Sequence, residues 1–492
     1  MTGKPPGLTF DPVMERFFHP RSIVLFGASS NPVKGGNQVL QNFKQYMERQ
    51  NYPDLFIVHP RAEAIEGVPC YRSLDQVPGN ANGTARIDLA VIVLPVQEVM
   101  PVVRACIARD VRGILIESGN LSNDGREATA FAKEILSMIR GRDIRVVGPN
   151  SIGFNVPDLR YCTPIKHYSE FLETRERNVS IVGQSGLFVT GFVEWFFDTT
   201  GHGQPFGVSN IAAIGNKLDV NECDLLEYYL HDERTHAIGM YLEDIRDGSR
   251  FMSLLRENRE RHRKPVVVLK AGKSEKGKQA VSSHTGSMAG SYAAVEAVAK
   301  QFGMILVETY DELFEMLSIV CQYPALRSNR VGVISVSGSG CVLSSDFAEK
   351  FGMELPELDE GALARLRPLF PDWAPIHNPI DTWASVEKVG PRESFNRILE
   401  IFLESGLFDA IVLMTISSPF ADFDWKFLGE MQRKYQDTPL VVHFFGGQSI
   451  LEHTALAKEY RIPVIGSFDR IFKLLELAWD FSRRMSHVHP GS

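Results

Sequence analysis

Ser22-Ile23-Val24-Leu25-Phe26-Gly27-Ala28-Ser29-Ser30-Asn31-Pro32-Val33-Lys34-Gly35-Gly36 is the stretch that decides the fold class. A short β-branched run, residues 22–26, enters a loop of glycine and other small residues, and a helical pattern over 38–48 follows. A strand that turns through glycine into a helix N-terminus is the phosphate cradle of a nucleotide fold. The loop is not a strict G-x-G-x-x-G, so a turn shaped only for helix packing stays open as an account of it.

Outward from this stretch the alternation continues. Strands are expected over 55–58, 89–94, 113–117 and 145–147, with helices between them, 98–109 being the clearest. Such alternation implies a parallel sheet with helices on both faces. The second strand ends in His59-Pro60-Arg61, where a nicotinamide-binding fold usually has an acidic residue for a ribose hydroxyl. A cation there suits a phosphorylated ribose, as in NADP or the 3′-phosphate of coenzyme A.

Residues 157–178 are polar and mixed and read as a linker, with Pro149 and Pro157 flanking the approach. A second α/β unit opens at 179–182 with Gly183-Gln184-Ser185-Gly186 and a long apolar helix over 187–197. Its further strands are expected over 208–213, 237–242 and 266–269. The helix is heavy with aromatics, Phe188, Phe192, Trp195, Phe196 and Phe197, most of which should pack on the sheet. If Phe188 or Phe192 faces the functional loop instead, a larger, aromatic acyl group becomes the expectation. A third unit follows Tyr323-Pro324, with strands over 331–336, 410–414, 440–444 and 464–465, the first running into Ser337-Gly338-Ser339-Gly340.

Within the second unit a charged segment, 270–279, leads into Ser282-Ser283-His284-Thr285-Gly286-Ser287-Met288-Ala289-Gly290, and a helical pattern resumes at Ser291. This sets His284 in a Gly- and Ser-rich loop ahead of a helix N-terminus, where backbone N–H groups favour an anion. A neutral imidazole nitrogen can attack a phosphoryl group and carry it as a phosphoramidate. An idle surface histidine is the alternative that this stretch alone leaves open.

The bulk properties exclude several classes. The 492 residues point to roughly three domains. Hydrophobic content of 44% and charged content of 23% are those of an ordinary globular chain. A net charge of −8 without a Lys/Arg-dense block argues against nucleic acid and against an anionic membrane surface. No apolar run reaches about 18 residues, and residues 1–18 lack the pattern of a secretory leader. The six cysteines form no C-x-x-C pair, which fits reduced thiols in a cytoplasm with neither disulfides nor a zinc site. Among the histidines His231 and His236 form a close pair, read as surface loop residues, and no metal site is expected.

At this point FGASSNPVKGG, VHPRAEAIEGVPCY, LAVIVLPV, VVGPNSIGF, SIVGQSGLF, IGNKLDVNECDLLEYY, YLEDIRDG, KAGKSEKGKQAVSSHTGSMAG and NPIDT, in that order, carry a resemblance. The chain resembles the alpha subunit of NDP-forming (ADP-forming) acyl-CoA synthetases, the acetate–CoA ligases related to succinyl-CoA synthetase. The resemblance implies an α/β chain: a CoA-binding Rossmann domain over 1–156, then two flavodoxin-like ligase domains over 179–322 and 329–485. It implies that acid, coenzyme A and ATP interconvert with acyl-CoA, ADP and phosphate through an acyl phosphate and a phosphohistidine. On that pattern His284 carries the phosphoryl group and Glu243 orients it. Gln184, Ser185 and Gly186, with Ser283, Thr285 and Gly286, hold the phosphate. Gly27, Ser29, Ser30, Lys34, Gly36, His59, Pro60, Arg61, Leu94, Pro95, Ser118 and Gly119 lie where the family contacts coenzyme A.

Two departures stand out. Ser151 occupies a position that is commonly cysteine in the family, and Ile116-Glu117-Ser118-Gly119-Asn120 differs from the usual apolar-aromatic version. All three units are accounted for without an ATP-grasp segment, so ATP or ADP and its Mg2+ are expected on a separate ATP-grasp beta subunit, in an alpha2beta2 assembly. The alternatives are an idle CoA- or acyl-CoA-binding regulatory protein of the same fold and an NADP-dependent oxidoreductase. Intact His284 and Glu243 argue against the first, and the lack of a separate hydride-transfer site against the second.

Overall fold

The computed structural model describes residues 13–52, 54–78, 86–119, 125–165, 177–194, 196, 206–285, 290–416, 424–446 and 450–486. Runs of β-branched and aliphatic residues form strands buried on both faces, as parallel sheets covered by helices require. The first unit contains β1 (Ser22–Phe26), β2 (Asp54–Val58), β3 (Ala64–Ile65), β4 (Val68–Tyr71), β5 (Leu89–Ile92), β6 (Gly113–Ile116) and β7 (Arg145–Val147). Their order in the sheet is β3-β4-β2-β1-β5-β6-β7, and every pairing except β3 with β4 is parallel. The chain leaves β1 for β2 on one side and then returns to β5 on the other. Beyond the carboxyl ends of β1 and β5 lies the crevice where such sheets bind ligands.

A second sheet joins β8 (Gly153–Val156), β9 (Tyr161–Cys162), β10 (Val179–Gly183), β11 (Val208–Ala213), β12 (Ala237–Leu242), β13 (Val266–Lys270) and β14 (Ile305–Val307) in the order β14-β13-β12-β10-β11-β8-β9. Its reversal falls between β10 and β12. The stretch read as a linker from 157 therefore supplies β9 to this sheet, and β8 pairs antiparallel with β11. These strands are too short to announce themselves, and what fixes them is burial of Phe154, Val156 and Tyr161 against Phe17, Phe18 and Tyr46 of the first unit.

The third sheet is β16-β15-β17-β18, from β15 (Val331–Ser335), β16 (Ile380–Asp381), β17 (Ala410–Ile416) and β18 (Leu440–Phe445). The residues expected as a strand at 464–465 contribute only an isolated bridge from Val464 to Val442. The last helix, Phe468–Ser486, leaves this sheet and packs on the second unit's helix Tyr310–Val320. Arg470 lies 2.7 Å from Glu315 across that seam, and Val179, Phe314, Val331 and Phe472 share one core.

Candidate active site

The first sheet's carboxyl edge is built from loops after four adjacent strands. Gly27 after β1 has φ of +93°, and a Cβ there would lie 1.9 Å from the Val93 carbonyl oxygen. Gly36, in the first turn of the helix Gly35–Gln50, would place a Cβ 1.9 Å from the Gly27 carbonyl oxygen. Both positions must be glycine for this turn and helix to pack so closely. Ser29 accepts a hydrogen bond from the Asn31 N–H, and its carbonyl accepts one from Asn37 Nδ2. Ser30 and Lys34 are exposed, Lys34 standing at the helix N-cap.

After β2, His59 Nδ1 accepts from the backbone N–H groups of Arg61 and Ala62 at 3.2 and 2.9 Å. That fixes the tautomer and leaves Nε2 as a donor. Pro60 and Arg61 are exposed beside it. After β5 and β6, the Leu94 N–H donates to Ser118 Oγ, and Ser118 Oγ donates to the Leu94 carbonyl at 2.6 Å. Gly119 packs against Asn150 Oδ1. Every predicted contact residue of this edge thus lies beyond β2, β1, β5 or β6. A glycine cradle, a ring N–H donor and exposed cations form the donor set that a phosphorylated ligand needs.

Beside them Glu117 is buried, and neither carboxylate oxygen has a hydrogen-bond partner among the described residues. Burial pushes its carboxyl well above the usual range. Sequence reading passed over this group, because nothing local marks a glutamate at a strand end as buried.

The second sheet's edge is wired internally. Gln184 follows β10 and Glu243 follows β12, so the two meet at the topological reversal although 59 residues separate them. Gln184 Oε1 accepts the N–H groups of Glu243 and Asp244 at 2.8 and 3.2 Å, and its Nε2 donates to Asp244 Oδ1 at 2.6 Å. Lys217 is wholly buried, 2.6 Å from Asp244 Oδ1 and 2.9 Å from Glu222 Oε2. Lys270 Nζ donates to the Glu243 carbonyl at 2.7 Å, and burial lowers its pKa. Burial, with Tyr310 and Glu243 nearby, pushes the Tyr241 hydroxyl well up. Glu243 is therefore held through its amide and its carbonyl. Asp244, Lys217, Lys270 and Tyr241 have no role assigned from sequence, although all four sit inside the quoted stretches IGNKLDVNECDLLEYY, YLEDIRDG and KAGKSEKGKQAVSSHTGSMAG.

Ser185 and Gly186 begin the helix after β10, which contains a π-helical turn, Phe188–Phe192. Phe188 is fully buried and stacks on Tyr241, Tyr310 and Phe314, so it belongs to the core, while Phe192 lies on the Tyr310 ring at 4.1 Å between centroids. Trp195 and Phe197 lie outside the described residues.

His284 departs from expectation. Its backbone belongs to the last turn of a helix, Glu275–Thr285, and not to a loop. Ser274 Oγ caps that helix by accepting the Gly277 N–H, Lys278 pairs with Glu275, and buried Val281 anchors it. A charged segment with one apolar anchor is helical here because its start is capped. The side chains of Ser283, His284 and Thr285, and all of Gly286, lie outside the described residues. The next helix, Tyr292–Phe302, starts at the cap Ser291.

The third opening resembles the second in backbone and not in chemistry. Ser337 and Ser339 hydroxyls lie 2.8 Å apart, and the Ser337 N–H donates to Ser335 Oγ.

One segment joins the first two edges. The Asn150 N–H donates to the Ser118 carbonyl, and Ser151 Oγ to the Ala213 carbonyl at the end of β11. The loop after β11 returns bonds from Asn216 and Leu218 to the carbonyls of Pro149 and Gly148, and from Ile214 to Gly183.

With this geometry in view, comparison with known proteins gives a consistent result. Residues 21–157 match a CoA binding domain, and residues 176–320 match a succinyl-CoA ligase like flavodoxin domain. The chain is 32% identical over 410 residues to the alpha subunit of acetate–CoA ligase (ADP-forming) II of Pyrococcus furiosus, covering 83% of this chain and 84% of that one. It is 30% identical to acetate–CoA ligase (ADP-forming) I of Archaeoglobus fulgidus over 92% of its own length, and it spans 61% of that relative. The solved dinucleotide-forming acetyl-coenzyme A synthetase 1 of Ca. Korarchaeum cryptofilum superposes with a TM-score of 0.81 at 25% identity, covering 96% of this chain and 98% of the other.

Proposed function

This chain belongs to the family of ADP-forming acetate–CoA ligases, and from that premise we propose that it is an alpha subunit interconverting acid, coenzyme A and ATP with acyl-CoA, ADP and phosphate. In the direction of ATP synthesis, a phosphate oxygen attacks the thioester carbonyl. The C–S bond breaks, coenzyme A leaves as its thiol, and an acyl phosphate forms. An imidazole nitrogen of His284 then attacks phosphorus and releases the acid. The phosphoryl group finally passes from His284 to a terminal oxygen of ADP. Each step runs in reverse for acyl-CoA synthesis.

The observation that carries this reading is Glu243 at the second reversal, fixed by Gln184 and Lys270 beside a helix start. A carboxylate so held can accept the N–H of one imidazole nitrogen and raise the basicity of the other. Ser185 and Gly186 offer amides of the helix N-terminus to the transferring phosphoryl group, joined by Ser283, Thr285 and Gly286 from the loop side. Coenzyme A lies along the first edge, over Gly27, Ser29, Ser30 and Gly36, with Lys34, His59 and Arg61 meeting its phosphates. Leu94, Pro95, Ser118 and Gly119 line the way to the thioester.

The nucleotide, with Mg2+, is held by a separate ATP-grasp beta subunit in an alpha2beta2 assembly working in the cytoplasm. The name of the Pyrococcus relative, an alpha subunit, and the greater length of the Archaeoglobus one support a partner. The test is phosphorylation of the reconstituted holoenzyme. ATP and Mg2+ should label this chain in a form that is lost in acid and survives in base. His284→Ala should lose the label and acyl-CoA synthesis together, and synthesis that survives this substitution overturns the reading.

A further inference from the structure

On the flank of the second unit, three nitrogen and oxygen atoms converge that the ligase chemistry does not use. They are His231 Nε2, Glu257 Oε1 and His262 Nε2, which all lie within 4.8 Å of one another. Each is buried, and none has a hydrogen-bond partner among the described residues. The separations of Glu257 Oε1 from the two imidazole nitrogens, 3.8 and 3.7 Å, are longer than hydrogen bonds. Three convergent buried atoms left unsatisfied call for a group that the protein itself does not supply.

The backbone builds this convergence. His231 closes the helix Glu222–His231, and its Nδ1 lies 2.8 Å from the Glu227 carbonyl oxygen. A carbonyl only accepts, so Nδ1 bears the proton and Nε2 presents a lone pair toward the cluster. A second-sphere bond of this kind orients metal-bound histidines. Glu257 ends the helix Gly248–Glu257, and the chain continues as a π-helical turn, Asn258–His262. Five residues apart, Glu257 and His262 would diverge around a regular α-helix, and the wider turn brings them back to one face. The imidazole rings meet edge to face, 4.9 Å between centroids.

Sequence reading grouped His231 with His236 on a surface loop. The fold separates them, leaving His236 exposed and turning the inner nitrogen of His231 toward His262. Two cations face the cluster. Arg261, largely exposed, lies 3.7 Å from Glu257 Oε1 and can swing into solvent. Lys264 is tied to the carbonyls of Tyr229 and Asp232. His262 also lines a cavity of about 500 Å³ against the last helix.

We propose that His231, Glu257 and His262 form a binding site for a divalent transition ion of the zinc type. Two imidazoles and one carboxylate are a donor set that zinc takes with a water as fourth ligand. Ideal ligand bonds are about 2.0–2.2 Å, so binding draws the three side chains slightly together. The ion would pin the ends of two helices on a face away from the Gln184–Glu243 edge.

The test uses the full-length chain, stripped with a chelator and then titrated with Zn2+ alone. One ion per chain and a raised melting temperature are expected. His231→Ala and His262→Ala should each weaken binding by more than the roughly 10–100-fold that losing a second-sphere partner costs, while His236→Ala should bind as the parent does. Because a ligand variant can fail to fold, Co2+ is added to the unsubstituted chain as well. It should give the visible bands of a tetrahedral or five-coordinate site without thiolate charge transfer, which also rules out the cysteines. Unchanged stoichiometric Zn2+ binding in the His231→Ala/His262→Ala double variant would overturn the proposal, as would an unsubstituted chain that takes up no Zn2+ or gives no such Co2+ bands.

Discussion

The carboxyl edges of the first and second sheets share a topology and differ in what occupies the crevice. On the first edge Lys34 and Arg61 stand in solvent around a glycine turn, and little but the backbone is committed. On the second edge Gln184, Asp244, Lys217 and Glu222 satisfy one another out of water, and Glu243 is fixed through its amide and its carbonyl. The difference teaches how each can act. An open edge binds a mobile ligand through charges that become useful only when the ligand arrives. A wired edge has its reacting geometry set beforehand, so little reorganisation remains at the moment of transfer.

The largest effect should therefore come from the wired edge. Glu243→Gln keeps the shape and removes the charge, and phosphorylation of the holoenzyme in a rapid-quench measurement should slow on the order of 10²-fold or more. A rate within a factor of about two of the parent, well short of that loss, would erase the contrast between the edges. Arg61→Ala tests the open edge. It should weaken coenzyme A about tenfold and dephospho-coenzyme A much less, since one charge-assisted hydrogen bond is worth roughly 1.5–3 kcal/mol. Equal weakening of both ligands would move Arg61 away from the 3′-phosphate. The smallest effect sharpens the comparison. Raising salt from about 0.05 to 0.5 M should weaken coenzyme A binding a few-fold by screening the exposed cations, and should leave the single-turnover rate at saturating substrate unchanged.

Sequence carried the local openings well, because a strand, a small-residue turn and a helix are written in adjacent residues. Strands 22–26, 145–147, 208–213 and 237–242 fall where their patterns place them. What it could not carry is adjacency made by the sheet. Gln184 and Glu243 meet only because β10 and β12 pair, and Lys217 becomes a wholly buried cation only when two distant carboxylates close on it. Short strands misled for a related reason, since Tyr161–Cys162 has no pattern of its own and takes its conformation from pairing with β8. The helix Glu275–Thr285 was hidden by charge, its cap at Ser274 being a single hydroxyl. His231 and His262 stand 31 positions apart, and only the packing of their two helices makes them neighbours.

Segment 148–151 touches the end of β6 on one side and the end of β11 on the other, and it accepts two hydrogen bonds from the loop that carries Lys217. No ligand that shifts Asn150 or Ser151 can leave the opposite edge untouched. Equilibrium then imposes a symmetry on the molecule. Whatever factor phosphorylation of the second edge applies to the affinity of the first for its ligand, that ligand must apply to the phosphorylation equilibrium in return. On the proposed reaction, the short segment is thus the thermodynamic balance beam of the chain, with the two half-reactions weighed against each other across it.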